Sequence, residues 1–147
     1  MDYENIEILF VEDSVDDAIL TIRAFAKSGL RHKLLHVKDG VAALDFIYCR
    51  GEFAGRSSTE FPKLILLDLK MPKISGMQVL RQVKSDPLYK SIPVVMLTSS
   101  SEEPDVEECF ALGANSYIVK PVDSDNFTKA VKEIGLYWMM LSQPPHL

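Results

Sequence analysis

Short apolar runs alternate five times with stretches whose apolar residues have helical spacing. The runs lie at residues 6–11, 34–37, 64–67, 94–97 and 117–119. The third run, Leu-Ile-Leu-Leu, is apolar throughout, as expected for a strand that helices cover on both faces. Five strand–helix units in succession predict an α/β protein with a parallel sheet and right-handed crossovers.

The stretches between these runs carry helix signals at their ends. Ser14 is a suitable N-cap for a first helix that ends near Gly29, and a second helix is expected at residues 41–48. The fifth helix is expected to open near Ser124 and to bury Phe127, Ala130, Val131, Ile134, Trp138 and Leu141. The natural arrangement at this length is a flavodoxin-like (βα)5 doubly wound sheet with strand order 2-1-3-4-5.

Length and composition predict one domain over residues 1–147, with a core at about 5–142 and a short C-terminal tail. The net charge of −5 and the lack of any Lys/Arg-rich run argue against a nucleic-acid partner. No apolar stretch approaches the roughly 18 residues that would suggest a membrane span. Two separated cysteines fit a reduced, cytoplasmic protein. The Gly- and Ser-containing segment 51–62 is interpreted as a surface loop, and the three histidines as surface residues.

Polar side chains come directly after four of the five apolar runs. They are Glu12, Asp13, Asp68, Thr98 and Lys120. Parallel strands bring their carboxyl ends to one edge of the sheet, which is where ligands bind in open α/β folds. Three carboxylates at one edge favour a hard divalent cation such as Mg²⁺. The lysine and the hydroxyl nearby indicate that a phosphoryl group is the other ligand.

Four motifs together resemble the receiver domain of two-component response regulators. They are Glu-Asp after the first strand, LLDLKMP at the third, LTS at the fourth and YIVKP at the fifth. The resemblance covers about the whole chain, with the motifs in the right order on the right elements. It implies a phosphoacceptor signalling protein of a phosphorelay, whose only chemistry is Mg²⁺-dependent self-phosphorylation and autodephosphorylation. It also implies a cis peptide between Lys120 and Pro121.

The resemblance assigns a role to each site residue. Asp68 would accept a phosphoryl group from a sensor histidine kinase. Glu12 and Asp13 would bind the metal with Asp68, joined by the main-chain carbonyl of Lys70. Thr98 and Lys120 would contact the phosphoryl oxygens. Tyr117, three residues before the lysine, would be the aromatic switch residue.

Three other readings use parts of the same pattern. A phosphohydrolase of the aspartyl-phosphate type has a DxDxT motif, but Lys70 stands where that motif has its second acid. A flavodoxin needs a hydroxyl- and glycine-rich phosphate loop after the first strand, where this chain is acidic. A pseudo-receiver scaffold that is never phosphorylated usually lacks one of the key residues, and here none is missing.

Partners are expected to be proteins. The loop at 51–62 and the short tail resemble the stand-alone response regulators of bacterial phytochromes, which makes a phytochrome-type kinase a candidate partner. The end of the fifth helix is apolar on more than one face. It predicts a homodimer through that helix, with Leu136, Tyr137, Met139 and Met140 at the interface.

Overall fold

The computed structural model describes residues 6–57, 61–99 and 104–136. Its five strands are β1 (Ile8–Val11), β2 (Leu34–Val37), β3 (Leu64–Asp68), β4 (Val94–Thr98) and β5 (Ser116–Val119). All neighbouring strands are parallel, and their order is β2-β1-β3-β4-β5. The predicted fold class and strand order are therefore confirmed.

Helices follow every strand. They are α1 (Val15–Lys27), α2 (Gly40–Ile47), α3 (Gly76–Ser85), α4 (Asp105–Ala111) and α5 (Ser124–Glu133). Two single-turn 3-10 helices lie at Arg31–Lys33 and Gly51–Phe53. In the described part of the chain, no helix is long and apolar enough to cross a membrane.

Side-chain caps fix where the helices begin. Ser14 accepts a hydrogen bond from the Asp17 main-chain N–H, so the predicted N-cap of α1 is confirmed. Helices α3 and α5 begin with reciprocal capping boxes, Ser75 with Gln78 and Asp123 with Asn126. These caps set the first turn of each helix against the carboxyl edge of the sheet.

The sheet is buried on both faces because its strands send alternate side chains to two cores. Ile65 and Leu67 of β3 pack on the α2–α3 side, whereas Leu64 and Leu66 pack on the α1–α5 side. Each face demands apolar residues, which explains why the third run is apolar without alternation.

The prediction of a surface loop at residues 51–62 and the prediction that the histidines lie at the surface are each wrong in part. The first half of segment 51–62 is not merely a surface loop, because Phe53 and Arg56 are buried. Arg56 donates from Nε to the Phe46 carbonyl at 3.0 Å, and its guanidinium lies 4.1 Å from the centroid of the Phe46 ring. His36 is partly buried in β2, whereas His32 is exposed as expected.

Helix α5 reaches Glu133, with Ile134 as its C-cap. Phe127, Ala130 and Val131 are buried as predicted, and Ile134 packs against the same core. Leu136 was expected to point away from the core but packs against it, because the helix ends at Glu133 and Gly135 turns the chain with a positive φ. Trp138, Leu141 and most of the predicted dimer surface (Tyr137, Met139 and Met140) lie outside the described residues.

Candidate functional site

Strand register brings the predicted polar residues to one edge of the sheet. Val11 pairs with Leu67, Asp68 with Leu97, and Thr98 with Val119. Glu12 and Lys120 directly follow two of these positions. The side chains predicted from sequence therefore stand beside one another at the carboxyl ends of β1, β3, β4 and β5.

Three carboxylates form a cluster at this edge. Glu12, Asp13 and Asp68 each offer an oxygen, and the three oxygens lie within 4.8 Å of one another. Glu12 and Asp68 are buried, and Asp13 is exposed. The Oε1 atom of Glu12 is buried and accepts no hydrogen bond from the described residues. An oxygen-only set that includes a buried acceptor without a hydrogen bond suits a hard divalent cation.

The ammonium of Lys120 lies among carboxylates from three elements. Its Nζ atom is 2.9 Å from Asp68 Oδ1, 3.0 Å from Glu12 Oε1 and 3.2 Å from Asp17 Oδ2. The Glu12 contact is an ion pair without hydrogen-bond geometry, whereas Lys120 donates a hydrogen bond to Asp17. Sequence reasoning found Lys120, Asp68 and Glu12 but missed Asp17. The available signal was the position of Asp17 in the first turn of a helix that starts at this edge.

Burial and neighbouring charges shift the pKa values of Asp68 and Lys120. Burial and the adjacent Glu12 raise the pKa of Asp68 to about 7, although Lys120 acts in the opposite direction. Burial alone would lower the pKa of Lys120, but Asp68 and Glu12 outweigh it and raise that pKa. The lysine therefore stays charged, while the Asp68 carboxylate is held in an environment that penalises its negative charge.

A small cavity of about 90 Å³ lies against Asp68. Its lining includes Lys70, Thr98, Ser99 and Lys120. Thr98 is buried at the end of β4, and the Lys120–Pro121 peptide is cis, as the sequence resemblance implied. A larger groove of about 370 Å³ shares no lining residue with this cavity, so the chemistry of the lining, not its size, identifies the site.

Tyr117 lies on β5, two residues before Val119, the register partner of Thr98, and its ring is partly exposed. Its ring meets that of Phe110 on α4 edge-on, with centroids 5.9 Å apart. A groove of about 360 Å³ runs along Tyr117, Val119 and α5. The orientation of this ring therefore affects the surface shared by α4, β5 and α5.

A residue of β2 contacts the main chain of the acidic pair Glu12 and Asp13. The His36 Nε2 atom lies 2.9 Å from the main-chain oxygen of Glu12. The ring also packs on Phe10 with centroids 5.1 Å apart. Sequence reasoning missed this contact because a partner carbonyl carries no sequence signal.

Fold and site together define a doubly wound α/β protein whose sheet edge can hold a cation and an anionic group around one buried aspartate. The chain belongs to the response regulator receiver domain family, whose family model matches residues 8–132. The predicted family is thereby confirmed, and no finding favours the phosphohydrolase, flavodoxin or pseudo-receiver readings.

Curated relatives include a probable regulatory protein and a response regulator. The chain is 38% identical over 138 residues to the probable methanogenesis regulatory protein FilR2 of Methanothrix harundinacea, covering 94% of this chain and 86% of that protein. It is 39% identical over 132 residues to response regulator Rcp1 of Synechocystis sp., covering 90% of this chain and 88% of that protein.

Solved structures point to one branch of the family. The bacteriophytochrome response regulator RtBRR is 46% identical, with a TM-score of 0.84 over 95% of this chain and 83% of that one. The Mn²⁺-bound form of Rcp1 is 38% identical, with a TM-score of 0.72 over 94% and 97%. The chain is therefore a receiver-domain response regulator similar to phytochrome response regulators.

Proposed function

We propose that this protein accepts a phosphoryl group on Asp68 from a sensor histidine kinase and thereby switches a protein-binding surface. The observation that carries the proposal is the 2.9 Å contact between Asp68 and Lys120, beside a cavity that Thr98 also lines. A carboxylate is a competent nucleophile toward phosphorus when its charge is offset. Phosphoryl transfer otherwise needs positioning and charge stabilisation, which Lys120 and Thr98 supply.

Glu12, Asp13 and Asp68 would hold Mg²⁺, joined by the main-chain carbonyl of Lys70. The fit rests on the oxygen-only donor set and on the buried Oε1 of Glu12, which accepts no hydrogen bond and has an ion pair with Lys120. The similar protein Rcp1, whose structure is described as Mn²⁺-bound, supports a divalent cation as the ligand. When bound, the cation would offset the negative charge shared by the attacking and transferred oxygens. Thr98 would donate a hydrogen bond from its hydroxyl to a phosphoryl oxygen, and Lys120 would contact another.

The switch would pass from Thr98 to Tyr117. A hydroxyl that turns toward a phosphoryl group makes a contact that exists only in the modified state, which is what a population shift requires. The Tyr117 ring then follows, and its edge-on contact with Phe110 changes. This would alter the surface formed by α4, β5 and α5, where a downstream protein would bind.

Likeness to phytochrome response regulators makes a phytochrome-type histidine kinase the proposed partner, in a cytoplasmic phosphorelay. A homodimer through the segment after α5 remains part of the proposal, with Tyr137, Met139 and Met140 at the interface. Leu136 packs against the core and is no longer assigned to that interface. Sedimentation of wild type and of Tyr137→Glu/Met140→Glu at several concentrations tests it. Dissociation of the variant alone supports the dimer, and a wild type that stays monomeric at high concentration contradicts it.

The central test is labelling by a small phosphodonor. Wild type incubated with acetyl phosphate and Mg²⁺ should gain one phosphoryl group by intact mass, and Asp68→Asn should gain none. Asp16→Asn serves as the matched control, because Asp16 is exposed and lies on α1 outside the acid cluster. Full labelling of Asp68→Asn would refute Asp68 as the acceptor, and steady turnover of the donor without labelling would favour a hydrolase.

A further inference from the structure

Asp17 brings a third carboxylate to the ammonium of Lys120. Its Oδ2 atom lies 3.2 Å from Nζ, and the side chain is 37% exposed, against 6% for Asp68 and 0% for Glu12. The main-chain N–H of Asp17 donates to Ser14 Oγ at 3.3 Å, which fixes this turn of α1 against the site. Asp17 is thus held where its carboxylate reaches the lysine from the solvent side.

The position of Asp17 separates it from the proposed metal ligands. The clustered carboxylate oxygens come from Glu12, Asp13 and Asp68, and Asp17 is not among them. Its contact is with the lysine, which has three N–H donors and already lies against three carboxylates. A phosphoryl oxygen that arrives at Asp68 therefore competes with these anions for the ammonium, and with Asp17 for the N–H that Asp17 accepts.

We propose that Asp17 is a positioning residue that restrains the Lys120 ammonium in the unmodified protein and slows phosphoryl transfer to Asp68. The inference rests on the proposed function and goes beyond it by adding a residue that sets its rate. Among the three anions, Asp17 is the most exposed, so water can replace its contact at the smallest cost. Asp17 is therefore the partner that Lys120 gives up when the phosphoryl group binds.

The test compares Asp17→Asn, Asp17→Glu and Asp16→Asn by the rate of labelling with acetyl phosphate at saturating Mg²⁺. Ion pairs open to solvent contribute about 0.2–1 kcal/mol, so loss of this partly exposed pair in Asp17→Asn should raise the labelling efficiency by about 1.4- to 5-fold. Asp16→Asn removes the same charge from the same helical turn without the lysine contact and should leave the rate near that of wild type. Asp17→Glu keeps the carboxylate and should stay closer to wild type than Asp17→Asn does.

A second measurement follows the lysine itself. In EDTA and without phosphodonor, the Nζ protons of Lys120 should exchange with water faster in Asp17→Asn than in wild type, as seen by nitrogen-detected NMR. A purely structural role for Asp17 would lower the thermal stability and would not accelerate labelling. The inference would be overturned if Asp17→Asn were labelled no faster than wild type, or if exchange of the Lys120 Nζ protons were unchanged. In either case, labelling of the wild type would leave the proposed function intact. A wild type that takes no label would refute the proposed function and the inference with it.

Discussion

The main-chain N–H of Lys120 donates a hydrogen bond to the carbonyl oxygen of Thr98 at 2.8 Å. This bond continues the β4–β5 ladder one step past the register pair of Thr98 and Val119. It fixes the spacing of the two strand ends, so that both side chains line the cavity beside Asp68. A response to a phosphoryl group at this edge therefore has to come mainly from side-chain rotation.

Removing the Thr98 hydroxyl should uncouple Tyr117 from the site. With beryllofluoride and Mg²⁺ as a phosphoryl mimic, wild type should show NMR shift changes at Tyr117 and Phe110, whose rings are in contact. Thr98→Ala should bind the mimic but leave these two rings nearly unchanged, because no donor turns toward the phosphoryl position. Thr98→Ser keeps the hydroxyl and should respond like wild type. A full response of Thr98→Ala at both rings would contradict the coupling.

Loss of the exposed acid of the cluster should weaken metal binding. Asp13→Asn removes one of three charged oxygen donors, and Mg²⁺ affinity depends strongly on the charge of its ligands. We expect a rise in the dissociation constant of about tenfold, equivalent to about 1.4 kcal/mol, from NMR titration of the metal-free protein. Asp16→Asn should titrate like wild type. Equal affinities for Asp13→Asn and wild type would place the metal elsewhere.

The sheet and most of its edge were predictable from sequence because they depend on local patterns. Apolar runs that alternate with helical patterns predict a parallel sheet covered by helices, and the polar residues directly after such strands lie at the same edge. Glu12, Asp68 and Lys120 follow from this rule alone. Their mutual contacts of 2.9 and 3.0 Å are its consequence.

Contacts that depend on how elements pack were not predictable in the same way. Asp17 meets Lys120 across 103 positions of sequence, and the contact depends on the rotation of α1 relative to the sheet. Arg56 was read as part of a polar loop, yet its guanidinium stacks on Phe46 and its Nε donates to a main-chain oxygen. Long amphipathic side chains can bury in this way, and composition alone does not reveal when they do.

Gly76 should tolerate no side chain, because helix α3 begins directly beneath the proposed phosphoacceptor. A Cβ atom at this position would collide with the main-chain oxygen of Asp68, and the Gly76 N–H donates to Leu69 at 3.0 Å. We expect Gly76→Ala to lower the free energy of unfolding by about 2–3 kcal/mol in urea, as overpacking against backbone does. Gly55→Ala is the matched control, since a Cβ there meets nothing within 4 Å, and it should change stability by less than about 0.5 kcal/mol. Equal stability of the two variants would show that this turn yields more easily than the structure indicates.

Asp68→Asn should stabilise the metal-free protein at neutral and higher pH. The pKa of Asp68 is raised from 3.8 to about 7, so between these values the folded state holds a proton that the unfolded state has lost. Wild-type stability should therefore fall as the pH rises from about 4 to about 7, and the asparagine variant should lack this part of the decline. Lys120 keeps Glu12 and Asp17 as partners in the variant, so its ammonium is not left unpaired.

One pKa unit corresponds to about 1.4 kcal/mol, and the raised pKa of Asp68 already includes its favourable contact with Lys120, so we expect a net gain on the order of 2–4 kcal/mol above pH 7. Urea unfolding in EDTA across this pH range measures it, with Asp16→Asn as the control that should run parallel to wild type. Added Mg²⁺ should reduce the difference in stability between Asp68→Asn and wild type. Binding to the folded wild type stabilises it by mass action, whereas Asp68→Asn has lost a charged ligand. If the free energy of unfolding changed with pH in the same way for wild type and Asp68→Asn, the surroundings of Asp68 would not raise its pKa.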